Sequence, residues 1–311
     1  MPLTKTDFIT LNEAKDPQAS RLLFAIPKKG RLYEHCQKLL AGADIQYHRK
    51  NRLDIALSTN QHVSLVFLPA SDIPKFVGEG IVDLGITGQD MVAESGADVD
   101  EVMELGFGKC DLCVQVPIAS GITDVKDLVG KRIVTSFEHL VTKYVAQLDA
   151  DANKTRKQPV KTAVSFVSGS VEAACALGLA DAIVDLVESG ETMRAAGLTP
   201  IHTLLSSQAV LIANKKAPHP ELTAKITRRI RGVILAARYV YCNYNVARAK
   251  LAEAIKITPG RKAPTVSPLE NDQWVAISVM VAKDKVAEIM DQLEAIGATD
   301  ILVFSITNCR A

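Results

Sequence analysis

Ala180-Asp-Ala-Ile-Val-Asp-Leu-Val-Glu-Ser-Gly-Glu-Thr192 is the stretch on which the reading of this chain turns. Ala182-Ile183-Val184 with Leu186-Val187 has the apolar character of a buried strand, closed by Glu188-Ser189-Gly190. Residues 192–196 then read as a short helix with Gly197 as its stop. A strand that turns through Ser-Gly into a helix leaves backbone N–H groups free at the helix start, where the dipole favours an anion. Asp181 and Asp185 precede that turn and are expected to hydrogen-bond the hydroxyls of a sugar whose phosphate sits in the loop. A plain structural turn is the simpler alternative, because Glu188 and Glu191 inside the loop would repel a phosphate unless their side chains point away.

The same alternation of strand and helix extends to both sides. Strands are expected at 22–26, 63–68 and 82–86, with helices at 32–41 and 71–79 between them. A second unit follows, with a short helix at 124–130, a strand at 132–135, a helix at 136–148, a strand at 163–167 and a helix at 171–177. The stretch 202–213 is expected to return to the first sheet. The pattern predicts an α/β protein with two lobes around a cleft, as in periplasmic binding proteins, with ligands at the strand ends facing it. Lobe one is assigned to residues 1–112 and 198–219, and lobe two to 113–197. From 220 onward, a long helix is followed by strand, helix (246–255), strand, strand, helix and strand. That order defines a ferredoxin-like domain over 220–311.

Composition narrows the classes of function. Lys plus Arg number 36 and Asp plus Glu 35, so no global charge draws the chain to nucleic acid or an acidic membrane. No apolar run approaches the roughly 20 residues of a membrane helix. Residues 1–20 lack the basic-then-apolar order of a secretory signal, so cytoplasmic residence is expected. The six cysteines include a Cys110-Asp-Leu-Cys113 spacing without a second metal-ligand pair, which predicts buried reduced thiols. No histidine falls in a metal-binding spacing, and only His139 lies near other candidate residues.

Further turns carry phosphate chemistry. Lys28-Lys29-Gly30-Arg31 stands where a strand opens into a helix, with Gly30 for close backbone approach and cations for charge-assisted bonds. A second basic cluster runs from His48 to Arg52. Asp83-Leu-Gly85-Ile-Thr87-Gly88 would let a ligand lie against backbone, without forming a dinucleotide fingerprint. Thr135 and the Ser168-Gly169-Ser170-Val171-Glu172 turn place small hydroxyl residues at strand ends, and Ser170 is a natural helix N-cap. Together, several such turns, two basic clusters and two carboxylates suit two phosphorylated substrates.

In order, Lys28-Lys-Gly-Arg-Leu32, Asp83-Leu-Gly-Ile-Thr-Gly88, Gly169-Ser-Val-Glu172, Ala180 to Thr192, Thr258-Pro-Gly260 and Pro264-Thr-Val-Ser-Pro-Leu269 closely resemble the ATP phosphoribosyltransferase family in its long form, over about 22–310. The resemblance implies that ATP and phosphoribosyl pyrophosphate, with Mg²⁺, give N1-phosphoribosyl-ATP and pyrophosphate, the first step of histidine biosynthesis. It places the donor 5′-phosphate on Glu188, Ser189, Gly190, Glu191 and Thr192. Asp185 and Asp181 would hold the ribose, and Lys28, Arg31 and Arg52 the phosphates. Gly30, Asp83, Gly85, Thr87, Gly88, Thr135, Gly169 and Ser170 would seat ATP. Glu172 is the side chain to test for a catalytic role, beside Lys28. The family more often has Ser-Thr-Gly where this chain has Glu188-Ser189-Gly190, which questions the loop's side chains but not its backbone. The resemblance also implies a hexamer built of dimers with histidine as feedback inhibitor, contacted by Asn245, Thr265 and Ser267. Family members that bind histidine here often carry an aspartate near 241–245, whereas this chain has Asn243 and Asn245, so inhibition is expected to be weaker or to use another acid. Two competing readings are a solute-binding protein or regulator effector domain, for which residues 1–20 supply neither a secretion signal nor a DNA-binding helix pair, and a non-catalytic subunit, disfavoured because both basic clusters and the donor loop are present.

Overall fold

The computed structural model describes residues 21–49 and 53–310. These divide into two units: residues up to Cys36 with Tyr47–Thr223, and Gln37–Gln46 with Ala224 onward. No helix among the described residues is long and apolar enough to cross a membrane.

The first unit holds two sheets. The first has the order β2-β3-β1-β4-β11-β5, with β1 (Leu22–Pro27), β2 (Ile55–Leu57), β3 (Val63–Leu68), β4 (Leu84–Gly88), β5 (Asp100–Glu104) and β11 (Ala209–Ala213). β1 lies parallel to both β3 and β4. Phe24 and Ile26 on one face and Ala25 on the other are fully buried, as a central parallel strand covered on both faces requires. Helices α1 (Arg31–Gly42), α2 (Ile73–Gly78) and α3 (Gln89–Ser95) follow β1, β3 and β4. Under α2, Gly85 packs directly against Ile73 and Val77, which form one core with Ala25, Val210 and Ile212.

The second sheet has the order β10-β6-β9-β7-β8. Its strands are β6 (Cys110–Pro117), β7 (Arg132–Thr135), β8 (Ala163–Phe166), β9 (Ala182–Val187) and β10 (Leu198–Ser207). Its helices are α4 (Glu138–Asn153), α5 (Ala173–Ala176) and α6 (Glu191–Ala195). Leu112, Val114, Ile133 and Val184 meet Phe137 and Val141 of the α4 region in its core.

The crossings between sheets differ from the expectation. β6 pairs with β9 from Asp111 onward, and β10 pairs with β6 along its length, so 110–117 and 198–207 both belong to the second sheet. The chain changes sheet over 105–109 and at Gln208. The polar Ser206-Ser207-Gln208 between Leu205 and Ala209 is the sign of that break in the sequence. The expected helix at 171–177 shrinks to Ala173–Ala176, and Glu172, not Ser170, is its N-cap residue.

In the second unit, β12 (Tyr239–Ala247), β13 (Thr265–Pro268), β14 (Trp274–Ala282) and β15 (Thr299–Ser305) form a sheet of order β13-β14-β12-β15. With α8 (Leu251–Ile257) and α9 (Val286–Ala295) it has the ferredoxin-like arrangement, preceded by α7 (Pro220–Ala237). Strand β12 continues through Ala247, where a helix was expected. Val240, Cys242, Tyr244 and Val246 alternate into the core, a period of two that no helix shares. Residues 37–46 belong with this unit: Arg229 donates to the carbonyls of Ala43 and Asp44, and Asn308 donates to that of Gly42.

A Cβ added at Gly85 would stand 2.6 Å from Ile73 Cγ2 and 3.0 Å from Val77 Cγ2. Gly85→Ala should therefore cost about 1–3 kcal/mol of stability by overpacking, read as a lower midpoint in chemical denaturation.

Candidate functional site

Ligand-binding loops of open α/β sheets gather at the carboxyl ends of parallel strands. By that criterion the candidate residues separate. Lys28, Gly30 and Arg31 follow β1, Gly88 ends β4, Thr135 ends β7, Gly169 and Ser170 follow β8, and Glu188 to Thr192 follow β9. Asp83 and Asp181 precede β4 and β9, so they lie at the opposite edge. A six-residue strand spans about 20 Å.

Asp181 is consequently removed from the sugar site. Its carboxylate accepts from the backbone N–H of Arg132 at 2.9 Å and from its guanidinium at 3.0 and 3.2 Å. Those bonds to Arg132 hold its pKa below the ordinary carboxylate value. Asp83 accepts the backbone N–H of Leu23 at 2.7 Å, and burial raises its pKa. Both tie strand starts together. Gly85 is a packing glycine. Thr87 and Thr135 are fully buried: Thr87 donates to the Ala70 carbonyl, and Thr135 donates to Val184 O while accepting from Phe137 N. Their hydroxyls shape the turns from beneath. Ser170 adopts φ +51°, a left-handed conformation seldom found outside glycine, and Gly169 beside it is exposed. Arg52 lies outside the described residues.

The remaining candidates converge. Gly30 needs its φ of +83° to turn β1 into α1, and Arg31 at the helix start reaches across to form an ion pair with Glu188. That pairing resolves the difficulty posed by an acid in the loop, because a guanidinium balances its charge. Gly190 caps α6 at φ +74°, and Arg194 folds back along it to donate to the Ser189 carbonyl at 3.0 Å. Arg194 is a loop cation that the sequence pattern did not single out, although its place four residues after Gly190 on a helix is the signal for it. Glu191 and Thr192 are exposed in the first turn, and Ser189 Oγ accepts from Glu191 N at 3.3 Å.

Asp185 lies beneath this loop. Burial raises its pKa, the backbone N–H of Leu186 at 2.8 Å opposes that shift, Glu172 adds to it and Arg31 reduces it. Glu172, Asp185 and Arg31 thus share one electrostatic neighbourhood. On the other side, Lys28 stands 3.9 Å from Asp54, and Arg49 lies 3.5 Å from the same carboxylate with its guanidinium 3.8 Å over the Phe67 ring. A cavity of about 560 Å³, lined by Gln89, Lys109, Cys110, Glu188 and Ser207 among others, opens between the two sheets. No group of three or more His, Cys, Asp or Glu among the described residues could hold a metal ion by itself. All six cysteines are free, and His139 sits in the first turn of α4.

In the second unit, register places Ser267, Ala276, Asn245 and Thr299 in one row, and Thr265, Ser278, Asn243 and Leu302 in the next. Asn245, Thr265 and Ser267 therefore share the sheet face opposite the core. Asn245 Nδ2 donates to Asp300 at 2.9 Å, and the Thr299 hydroxyl donates to the same oxygen at 3.0 Å. Asp300, at φ +53°, is an acid that the sequence pattern did not single out.

A family model described as ATP phosphoribosyltransferase matches residues 69–232, and one described as HisG, C-terminal domain, matches 236–308. The ATP phosphoribosyltransferase of Yarrowia lipolytica is 60% identical over 290 residues, covering 93% of this chain and 97% of its own. That of Saccharomyces cerevisiae is 55% identical over 291 residues, with the same coverage. Among solved structures, the ATP phosphoribosyl transferase (HisG:HisZ) complex of Thermotoga maritima shares the fold at 22% identity and a TM-score of 0.57, over 68% of this chain and 96% of that one.

Asp181→Asn should lower thermal stability near neutral pH without altering affinity for phosphorylated ligands. A depressed carboxylate pKa contributes stability above the unfolded value of about 3.9 and loses it as pH falls through the folded value. The difference between wild-type and variant melting temperatures should shrink accordingly in acid.

Proposed function

The chain belongs to the ATP phosphoribosyltransferase family, and from that premise we propose that it joins N1 of ATP to the anomeric carbon of phosphoribosyl pyrophosphate in the cytoplasm, under feedback control by histidine. The observation that carries the reading is the ion pair of Arg31 with Glu188 at the loop 188–192, with the half-buried Asp185 on β9 just before that loop. Backbone N–H groups of that loop and Arg194 suit the 5′-phosphate of the donor. Asp185 suits the ribose hydroxyls. Lys28 and Arg31 suit the pyrophosphate and triphosphate, whose charge would draw them from Asp54 and Glu188. The backbone at Gly30 and Gly169, with no atom within 4 Å of an added Cβ, offers open approaches for the nucleotide, whereas Gly88 is buried against the Asp90 carboxylate.

The chemistry asks little of a base. Adenine N1 attacks as the C1′–O bond to pyrophosphate breaks, and the transition state carries positive charge on the ribose ring. Asp185 and Glu172 supply negative charge beside that ring, and the cations stabilise the departing pyrophosphate. Orientation of two bound substrates supplies much of the remainder. Mg²⁺ would neutralise pyrophosphate oxygens, and the residues fit such an ion: it is commonly held by one or two carboxylates plus substrate phosphates, here Asp185 and Glu172.

In the second unit, Thr265, Ser267 and Asn245 with Asp300 suit the polar groups of histidine, Asp300 receiving the ammonium. The same open face carries exposed Tyr241, Leu302 and Phe304, which supports burial between subunits of a hexamer.

Purified protein with ATP, phosphoribosyl pyrophosphate, Mg²⁺ and pyrophosphatase should show donor-dependent near-ultraviolet absorbance of N1-substituted adenine, suppressed by histidine. Absence of signal would overturn the transferase reading, and signal indifferent to histidine would remove the regulatory one. Asp185→Asn should lower kcat/KM about 100-fold. It should also remove an acid limb that burial places above the ordinary carboxylate pKa of about 3.9. Asp300→Asn should weaken histidine inhibition about 10-fold with kcat unchanged, since a charge-assisted bond is about twice as strong as a neutral one.

A further inference from the structure

Helix α3 is seven residues long, and both of its carboxylates bind outside it. Asp90 and Glu94 are spaced i, i+4 and therefore share one face. Asp90 is buried; its Oδ1 accepts from the Ser207 hydroxyl at 2.6 Å, and Ser207 Oγ accepts from Asp90 N at 3.0 Å. Ser207 is the last residue of β10, in the second sheet, immediately before the chain crosses back. Gln89 and Gln208 reinforce that junction: Gln89 N donates to Gln208 O at 3.0 Å, and Gln208 N donates to Gln89 Oε1 at 3.3 Å.

Glu94 reaches the second lobe at another point. Its two oxygens accept from His139 N at 2.8 Å and Leu140 N at 3.0 Å. These are first-turn N–H groups of the 16-residue helix α4, whose own N-cap residue, Phe137, makes no side-chain cap bond. A carboxylate there satisfies orphan donors and meets the positive end of the dipole. One lobe thus caps the helix of the other. The turn just before α4, at Thr135 to Phe137, ends β7 at the cleft, and α3 begins directly after Gly88, where β4 reaches the same cleft.

We infer that Glu94 and Asp90 are positioning residues that fix the angle between the two lobes, and so the alignment of two substrates held by loops of both lobes. The inference rests on the two-substrate reading above. Reacting atoms must stand about 3–3.5 Å apart, and a misplacement of about 1 Å can cost 100-fold in rate. Loosening this bracket leaves each loop intact while spoiling their register, so the loss falls on kcat.

The test compares wild type, Glu94→Ala and Glu94→Gln, the last keeping one acceptor oxygen. The expected result is a kcat about 10-fold lower for Glu94→Ala, KM for each substrate within about 2-fold, and an intermediate kcat for Glu94→Gln. Small-angle scattering of the free proteins should show a changed radius of gyration for Glu94→Ala at unchanged oligomeric state. A lower melting temperature with wild-type kcat and unchanged scattering would reduce Glu94 to a helix cap and overturn the inference, as would a loss confined to KM. If Glu94→Ala does not fold, Glu94→Gln decides by the same split. Wild-type turnover in the same assay separates failure of this inference from failure of the transferase reading, and scattering reads the lobe angle without turnover.

Discussion

Backbone has to leave one sheet for the other at residues 105–109 and return at Gln208, and the polar groups exposed by those crossings need partners. Leu105 N donates to Ala209 O and Ala209 N donates to Phe107 O, so the two crossing segments pair with each other. Ser207 and Asp90 close the same junction from the side. The cleft, its strand-end loops and the meeting of Arg31 with Glu188 all follow from two sheets joined at this narrow, hydrogen-bonded seam.

The cleft cations already have carboxylate partners: Lys28 and Arg49 share Asp54, and Arg31 holds Glu188. Pairs this exposed contribute about 0–1 kcal/mol, so they constrain side chains without locking them. An incoming phosphate, offering more acceptor oxygens and more charge, can take over the cation. A chain with almost balanced charge can in this way present a basic cleft to a polyanion while avoiding a standing basic surface.

Central strands were legible because their buried middles are apolar: β3, β7 and β9 coincide with the runs read from the sequence, and β1 does so within one residue. Strand β5, Asp-Glu-Val-Met-Glu, was not, because it lies at the sheet edge with its acids exposed. The loops after β1 and β9 were legible because glycine and small polar residues mark strand ends. Asp83 and Asp181 were misread because nearness in sequence to a loop does not say which end of the strand a residue occupies. Asp90 and Glu94 gave no sequence signal: their partners lie 117 and 45 residues away. Phe137 offered an indirect clue, since an aromatic residue at a helix start asks for a cap from elsewhere.

Residues 37–46 carry a separate consequence. They form the carboxyl half of α1 and the turn after it, yet Arg229 and Asn308 hold their carbonyls within the second unit. The second unit is therefore discontinuous in sequence, assembled from the ten residues 37–46 and the last part of the chain. A chimaera joined at a single point near residue 220 would separate the first segment from the residues that shaped it. An exchange that preserves the unit has to move residues 37–46 together with the C-terminal region.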